Sequence, residues 1–234
     1  REKDLVYSAT MTAKTVMVVD DGTSKVLYKK NTDEVRSLAS MTKLMSALVL
    51  NDLIADWSTS TVITDEDADP SSHHLFVGER YTLLDLWKVA LIGSSNSAIH
   101  ALVRSTGLTE DEFAAKMNEK SAKLGLYSLR FVEPTGLDSR NMGKAVDIIR
   151  LLKVALEAEN ISSALRLTDY IAGPLNNKPR HQVWSTNWLL TNWIPNAFDK
   201  KIIQYRNSRI YESCDMNGPE AVNSPSRFKN WSEA

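Results

Sequence analysis

The sequence has one cysteine, Cys214, among its 234 residues. A single cysteine cannot form an internal disulfide, and it cannot form a structural zinc site alone. The sequence also lacks an excess of either charge, because 28 basic and 29 acidic residues give a net charge of -1. This balance, together with the absence of a long basic run, argues against a nucleic-acid-binding protein.

Long apolar runs are missing as well. The longest stretches, 44–50 and 83–92, are too short or too interrupted to cross a bilayer, so we expect no integral membrane segment. The first residues, REKDLVYSATMTAK, lack the charged-then-apolar order of a signal peptide, as expected for either a mature exported protein or a cytosolic one. What the sequence does contain is 43% hydrophobic residues, enough for a real core in one large domain or two small ones.

Turn and capping signals predict one hairpin followed mainly by helices. Two β-branched or alternating runs around a turn at 20–22 predict a β-hairpin over residues 12–31. Thr82 and Thr109 stand at expected N-cap positions, and Glu112 completes a capping box with Thr109. The remaining predictions are a helix from about Ser40 to Leu53, a strand at 61–64, a polar turn-rich stretch at 65–80, a helix from Asn96 that Gly107 ends, a loop at 131–141 and a helix over 145–158.

Ser40 and Lys43 lie in the first turn of the apolar helix predicted from residue 40, and the spacing of three places them on one face. A serine oxygen near a helix N-terminus ionises more easily, a backbone N–H there can hold an oxyanion, and a partly desolvated lysine can accept a proton. These are the parts of a Ser–Lys acyl-transfer site. The pattern S-x-x-K is common by chance, however, because serine often caps helices and lysine is common on their surfaces.

A second polar cluster, Ser94-Ser95-Asn96, lies in a turn between two predicted helices. The hydroxyl of Ser94 could relay a proton from the lysine to a leaving nitrogen, and the amide of Asn96 could hold both the lysine and a substrate carbonyl. Seen alone, this cluster would be read as a helix–helix turn with capping residues. The two clusters together favour catalysis.

The two motifs, S-M-T-K at 40–43 and S-S-N at 94–96, resemble those of the penicillin-binding D-alanyl-D-alanine peptidases of low molecular weight, either the carboxypeptidases or the endopeptidases. The stretches TAKTVMVVDDGTSKVLYKKN, FVEPTGLDSRN and STNWLLTNW resemble the same family, so the similarity covers roughly residues 10–203. It implies an α+β fold of the transpeptidase and β-lactamase type, with an antiparallel sheet packed against a helical subdomain. We therefore expect a peptidase domain over 1–203 and an atypical tail over 204–234, frameshifted or disordered, that does not clearly supply the closing strands.

The resemblance also implies roles for individual residues. Ser40 would attack the carbonyl between two D-alanines and form an acyl-enzyme, with Lys43 as general base. Ser94 would pass the proton, and Asn96 would position the substrate and the lysine. The implied partners are peptidoglycan stem peptides, with β-lactam antibiotics as covalent inhibitors, and no cofactor is implied. The implied location is the periplasm after removal of a signal peptide.

The third motif of the family, Lys-Thr/Ser-Gly, is absent after Asn96. It should follow residues 202–203, where the sequence instead reads QYRNS. Arg206 could supply the cation for a substrate carboxylate, but Ser208 stands where the glycine would allow close approach of the substrate. A shifted reading frame near residue 203 or true divergence would explain the difference, and the gene sequence in the other frames distinguishes the two. Both explanations predict weakened or absent peptidase activity.

Two alternative functions stay open from the sequence. One is a catalytically impaired relative that binds cell-wall peptide or β-lactam weakly. The other is a serine β-lactamase, for which Glu133 is the only nearby candidate for a deacylation base.

Three other features are given structural interpretations. His73 and His74 are interpreted as part of a solvated loop, and Cys214 is given no role. The tryptophans are interpreted as packing residues rather than a sugar-stacking surface: Trp184, Trp188 and Trp193.

Overall fold

The computed structural model describes residues 13–70 and 74–187. The predicted hairpin is confirmed: strands β1 (Val16–Val19) and β2 (Val26–Lys30) pair antiparallel. Its turn is closed by Asp20, whose carboxylate accepts from the backbone N–H of Thr23 at 2.7 Å and from its hydroxyl at 2.6 Å. A short β3 (Arg36–Ser37) and a 3-10 turn at Ala39–Met41 then lead into helix α1 (Thr42–Leu53).

Helix α1 is the central element of the described fold. Its residues from Thr42 to Leu50 are buried with the exception of the half-buried Leu44, which is the pattern of a helix surrounded by other elements. Helices α3, α4 and α5 pack around it. The elements that follow α1 are β4 (Ser60–Val62), β5 (Arg80–Thr82), α2 (Leu83–Ile92), α3 (Asn96–Ser105), α4 (Glu110–Lys123), β6 (Met142–Gly143), α5 (Ala145–Glu157), α6 (Glu159–Leu165), β7 (Asp169–Ala172) and β8 (His181–Trp184).

The strands of the described residues form four antiparallel pairs: β1 with β2, β3 with β6, β4 with β5, and β7 with β8. One contiguous apolar core links the helices to the β4–β5 and β7–β8 pairs through Tyr81, Ala172 and Val183. The mixture of helices and antiparallel pairs agrees with the predicted α+β class. The largest fully buried side chains are Tyr81, Phe113, Phe131, Leu38, Met45, Leu50, Ile63, Leu86, Ile92, Ile99, Leu102 and Met117.

The predicted helix signals are confirmed at several termini. The hydroxyl of Thr82 accepts from the N–H of Asp85 at 3.0 Å, and Thr109 and Glu112 form the reciprocal capping box. Gly107 ends α3 with a left-handed backbone, φ +78°. These local signals act within four residues, which is why they can be read without knowing the tertiary structure.

Other expectations need correction. Ser40 lies in the 3-10 turn rather than in the first turn of α1. The stretch at 65–80, predicted as polar and turn-rich, also contributes two buried carboxylates, Asp67 and Glu79, with partners in other elements. Helix α6 and the β7–β8 hairpin were not predicted. On β8, Trp184 is 56% exposed, so packing is the wrong interpretation for it.

Several expectations fall outside the described residues: those for His73, Trp188, Trp193, Arg206, Cys214 and the whole of 204–234. Within 13–70 and 74–187, no helix has the length and apolar character needed to cross a bilayer. The same ranges hold no cluster of three or more histidine, cysteine, aspartate or glutamate side chains able to bind a metal ion.

Candidate active site

Ser40 and Lys43 meet at the junction between the 3-10 turn and α1. The distance between Lys43 Nζ and Ser40 Oγ is 3.0 Å, so the predicted shared face is confirmed. Ser40 is half-buried and remains accessible, whereas Lys43 is only 4% exposed. A nucleophile open to solvent is thus paired with an amine that is almost fully enclosed.

The amine of Lys43 has two further partners, Asn96 Oδ1 at 2.5 Å and the carbonyl oxygen of Thr135 at 2.8 Å. Both oxygens can only accept, so each requires an N–H from the lysine. A protonated Lys43 fills all three contacts with its three N–H groups. A neutral Lys43 has two N–H groups and one lone pair, and the two acceptors take both N–H groups. The lone pair then points to Ser40 Oγ, as a general base requires.

The pKa of Lys43 is lowered from its ordinary value to about 7, chiefly because burial disfavours the charged ammonium. The negative charges of Glu133 and Asp69 act in the opposite direction and raise the pKa. The balance leaves a large fraction of the amine neutral near neutral pH. That is the range in which a general base works best.

Asn96 is placed by the start of helix α3. The side chain of Ser95 caps this helix by accepting from the N–H of Ala98 at 3.2 Å, and Asn96 is the first helical residue. The amide nitrogen of Asn96 donates to Asp69 Oδ2 at 2.5 Å. A carboxamide nitrogen carries two N–H groups, so the second one can donate to a substrate carbonyl.

The loop at 131–141 supplies the third partner of Lys43 and is organised by Glu133. One carboxylate oxygen of Glu133 accepts from the N–H and the hydroxyl of Thr135, at 2.6 and 2.5 Å. The other accepts from the N–H of Gly136 and from the side-chain amide of Asn141, both at 2.5 Å. With the backbone N–H of Asp138 at 3.4 Å, five donors hold this carboxylate inside its own loop. That arrangement argues against Glu133 as the water-activating base of a β-lactamase.

Helix α1 holds the same loop from the other side. The hydroxyl of Ser46 donates to the carbonyl of Pro134 at 2.5 Å, one turn along the helix from the contact of Lys43 with Thr135. Gly136 lies against the backbone of the 3-10 turn at Ala39–Met41. A Cβ at this position would be 1.8 Å from the carbonyl oxygen of Ala39 and 2.9 Å from the backbone nitrogen of Ser40. The loop and the nucleophile are in direct backbone contact.

Two residues beside the site have left-handed backbones without being glycine. Ala39 precedes Ser40 and has φ 44°, and Ser94, in the turn between α2 and α3, has φ 56°. Such conformations cost of order 1–2 kcal/mol each and cluster at functional sites. Ser94 is two residues from Asn96, but the hydrogen bonds of Lys43 within the described residues go to Ser40, Asn96 and Thr135. The relay role of Ser94 therefore stays a prediction.

The family model for D-alanyl-D-alanine carboxypeptidases matches residues 3–192. This range includes every residue of the geometry described above. The chain belongs to the D-alanyl-D-alanine carboxypeptidase family.

Members of this family from several bacteria resemble the chain. It is 33% identical over 190 residues to a D-alanyl-D-alanine endopeptidase of Haemophilus influenzae, covering 79% of this chain and 64% of that protein. It is 30% identical over 183 residues to a D-alanyl-D-alanine endopeptidase of Escherichia coli, covering 74% of this chain and 59% of the relative. The chain thus spans less than two thirds of the length of these relatives.

A solved structure of the family has the same fold. The crystal structure of a D-alanyl-D-alanine carboxypeptidase from Mycobacterium tuberculosis superposes with a TM-score of 0.69 at 25% identity, covering 77% of this chain and 69% of that chain. This agreement confirms the transpeptidase-type fold predicted from the two motifs.

For this member of the carboxypeptidase family, sequence reasoning identified Ser40, Lys43 and Asn96, which the structure brings into contact, but missed the residues that position them. Thr135, Gly136 and Asn141 were assigned only to a loop, and Glu133 was considered only as a base. The dipeptide Pro134-Thr135 with the following glycine signals a turn, but not that a carbonyl faces a lysine 92 residues earlier. Asp69 carried no recognisable signal within the polar stretch at 65–80.

Proposed function

We propose that this chain is a serine D,D-peptidase that cleaves D-alanyl peptide bonds of peptidoglycan stem peptides or cross-links through an acyl-enzyme on Ser40. The observation that carries the proposal is the hydrogen bonding of Lys43. Its Nζ lies within hydrogen-bond distance of Asn96 Oδ1, the carbonyl oxygen of Thr135 and, at 3.0 Å, Ser40 Oγ. In the neutral amine the two acceptors take both N–H groups, which leaves the lone pair for Ser40. Family membership and the names of the relatives support the same substrate class.

The first half of the proposed reaction forms the acyl-enzyme. Lys43 takes the hydroxyl proton of Ser40 as Oγ bonds to the carbonyl carbon between two D-alanines. The second N–H of Asn96 binds a carbonyl of the peptide. When the tetrahedral intermediate collapses, the C–N bond breaks and the leaving amine takes a proton that originates on Lys43, with Ser94 as the relay.

The second half releases the product. Water replaces the leaving amine, Lys43 accepts its proton, and the ester to Ser40 is hydrolysed. A β-lactam enters the same first step, because attack on its ring carbonyl gives the same kind of ester. In this proposal the protein works in the periplasm, where peptidoglycan is accessible, and Arg206 binds the substrate carboxylate in place of the missing lysine.

A second candidate is an impaired relative that acylates or binds without efficient turnover. The observation that favours it is the absence of Lys-Thr-Gly or Lys-Ser-Gly after Asn96. Without that motif, the residue proposed to bind the substrate carboxylate is Arg206. This candidate keeps the chemistry of Ser40 and loses peptide turnover.

The test is labelling with a fluorescent penicillin followed by intact-mass measurement. We expect a single adduct on the parent and none on Ser40→Ala. Ser163→Ala, at an exposed serine on α6, is the matched control and should label like the parent. Two turnover assays then separate the candidates: release of D-alanine from a synthetic peptide ending in D-Ala-D-Ala, and cleavage of a cross-linked pair of stem peptides. The impaired relative gives the adduct with neither product. A folded parent that forms no adduct would overturn the proposal.

A further inference from the structure

Asp69 is a charged residue that contacts the candidate site, the group formed by Ser40, Lys43 and Asn96, through a hydrogen bond with Asn96. Its Oδ2 accepts from Asn96 Nδ2 at 2.5 Å, and Asn96 Oδ1 accepts from Lys43 Nζ at 2.5 Å. A continuous series of hydrogen bonds therefore runs from Asp69 through Asn96 and Lys43 to Ser40. Neither of the two sequence motifs includes Asp69.

We propose that Asp69 is a positioning residue, whose carboxylate fixes the amide of Asn96 with its oxygen toward Lys43 and its nitrogen away from it. This inference rests on the proposed function of Ser40 and Lys43. It adds a residue from outside the two motifs that determines whether the base is correctly oriented.

The argument begins with the symmetry of a carboxamide. The oxygen and nitrogen of Asn96 have nearly the same shape, so packing alone cannot choose between the two orientations. In the reversed orientation an N–H group would face the amine of Lys43. A neutral lysine would then turn its lone pair to that N–H group and away from Ser40. An ionised carboxylate accepts only, so Asp69 selects the productive orientation.

The loop that bears Asp69 is itself held in place. The backbone N–H of Asp69 donates to Ser97 Oγ at 2.9 Å, one residue after Asn96 on α3. Two residues earlier, the buried Asp67 forms an ion pair with Arg104 of the same helix at 2.7 Å. These two contacts, one at Asp69 and one at Asp67, hold this part of the loop against α3. The backbone that carries the Asp69 carboxylate is therefore tied to the helix that carries Asn96.

The charge of Asp69 has a second effect on the same group. Among the described residues, Asp69 and Glu133 are the charged side chains that raise the pKa of Lys43 against the larger effect of burial. Neutralising Asp69 should therefore lower the pKa of Lys43 further. Because the neutral amine is the base, the rising limb of acylation against pH should move to lower pH.

The experiment compares the parent with Asp69→Asn, Asp69→Ala and a control, Asp65→Asn. The asparagine variant keeps an oxygen for Asn96 and loses the charge, whereas the alanine variant loses both. Asp65 is an exposed carboxylate in the same loop. Two measurements are made on each protein: the NMR titration of Lys43 together with the side-chain amide protons of Asn96, and the rate of fluorescent-penicillin acylation as a function of pH.

We expect a lower Lys43 midpoint in both Asp69 variants and no change in the control. We expect the Asn96 amide protons to lose their hydrogen-bonded shift in Asp69→Ala and to retain much of it in Asp69→Asn. Acylation should slow about 10- to 100-fold in Asp69→Ala, the size expected for loss of a hydrogen bond to a charged group, and less in Asp69→Asn. A folded Asp69→Ala with parental amide shifts, Lys43 midpoint and acylation rate would overturn the inference.

The two proposals fail in different ways. If the parent forms no adduct, the proposed function fails, and the Lys43 titration and the Asn96 amide signals still decide the role of Asp69. If the parent and Asp65→Asn acylate while both Asp69 variants match them in every measurement, only the role of Asp69 is wrong.

Discussion

Replacing Gly136 by alanine tests the contact between the loop at 131–141 and the 3-10 turn that carries Ser40. Gly136 has φ +94°, a conformation that costs an L-residue about 1–2 kcal/mol. The added Cβ would also stand 1.8 Å from the carbonyl oxygen of Ala39 and 2.3 Å from its carbonyl carbon. Since non-bonded atoms pack at about 3.5 Å, the two backbones must separate by more than about 1 Å.

Such a separation affects both stability and reactivity. Overpacking of this kind costs about 1–3 kcal/mol, so the total loss from the conformation and the clash is about 2–5 kcal/mol. The shift also moves Ser40 and the carbonyl of Thr135 relative to Lys43. A displacement of about 1 Å at reacting groups can cost about 100-fold in rate.

Gly107→Ala is the matched control for this prediction. Gly107 has φ +78°, and a Cβ there has no neighbouring atom within 4 Å, so this variant carries the conformational cost without the clash. Urea unfolding and the rate of penicillin acylation are measured for the parent and both variants. We expect Gly107→Ala to lose about 1–2 kcal/mol and to keep the parental acylation rate. The proposed backbone contact would be refuted if Gly136→Ala were no less stable and no slower than Gly107→Ala.

Three further results are expected. The pKa of Lys43 falls from 10.5 in the unfolded chain to about 7 in the fold, so the unfolded state binds more protons between these pH values. The unfolding free energy of the parent, measured relative to Lys43→Met, should therefore rise with pH from 7 to 10.5. A difference that stays flat in urea titrations would contradict this. Glu133→Gln replaces one carboxylate oxygen by an NH2 group, which would face at least two hydrogen-bond donors in place of accepting from them. We expect this variant to lose about 2–4 kcal/mol in urea unfolding, while the exposed Glu119→Gln loses almost nothing. Thr109→Ala should lose about 1 kcal/mol through the missing cap, and Thr109→Ser should restore most of it, so equal stabilities of the two variants would count against the capping role.

The predictability of the fold depended on how far apart the interacting residues lie. The hairpin over β1 and β2, the cap at Thr82 and the box at Thr109 rest on residues a few positions apart, and their sequence signals were sufficient. The β7–β8 hairpin was missed because eight residues, including Pro174 and Pro179, separate its strands and hide the alternation. Helix α6 is only seven residues long and lacks a side-chain cap.

The site shows the same dependence on distance. Ser40 and Lys43 are three residues apart, so helical spacing predicted their contact. The place of Asn96 came from the resemblance to the family, and the contacts of Thr135 and Asp69 came from neither source. A backbone carbonyl has no sequence signature, and one acidic residue in a polar stretch looks like any other. The candidate reacting residues could therefore be named from the sequence, whereas the residues that orient them required the fold.

The partners of Lys43 have a consequence for when the serine becomes reactive. Lys43 contacts Asn96 and Thr135, which lie 53 and 92 residues away along the chain. In an unfolded chain Lys43 is an ordinary solvated amine with a pKa near 10.4 and is protonated at neutral pH. The serine is therefore latent until α1, α3 and the loop at 131–141 have assembled. If Ser40 and Lys43 react as proposed above, a newly made chain carries no activated nucleophile, and its rate of acylation by a β-lactam is expected to follow the fraction of molecules that have folded.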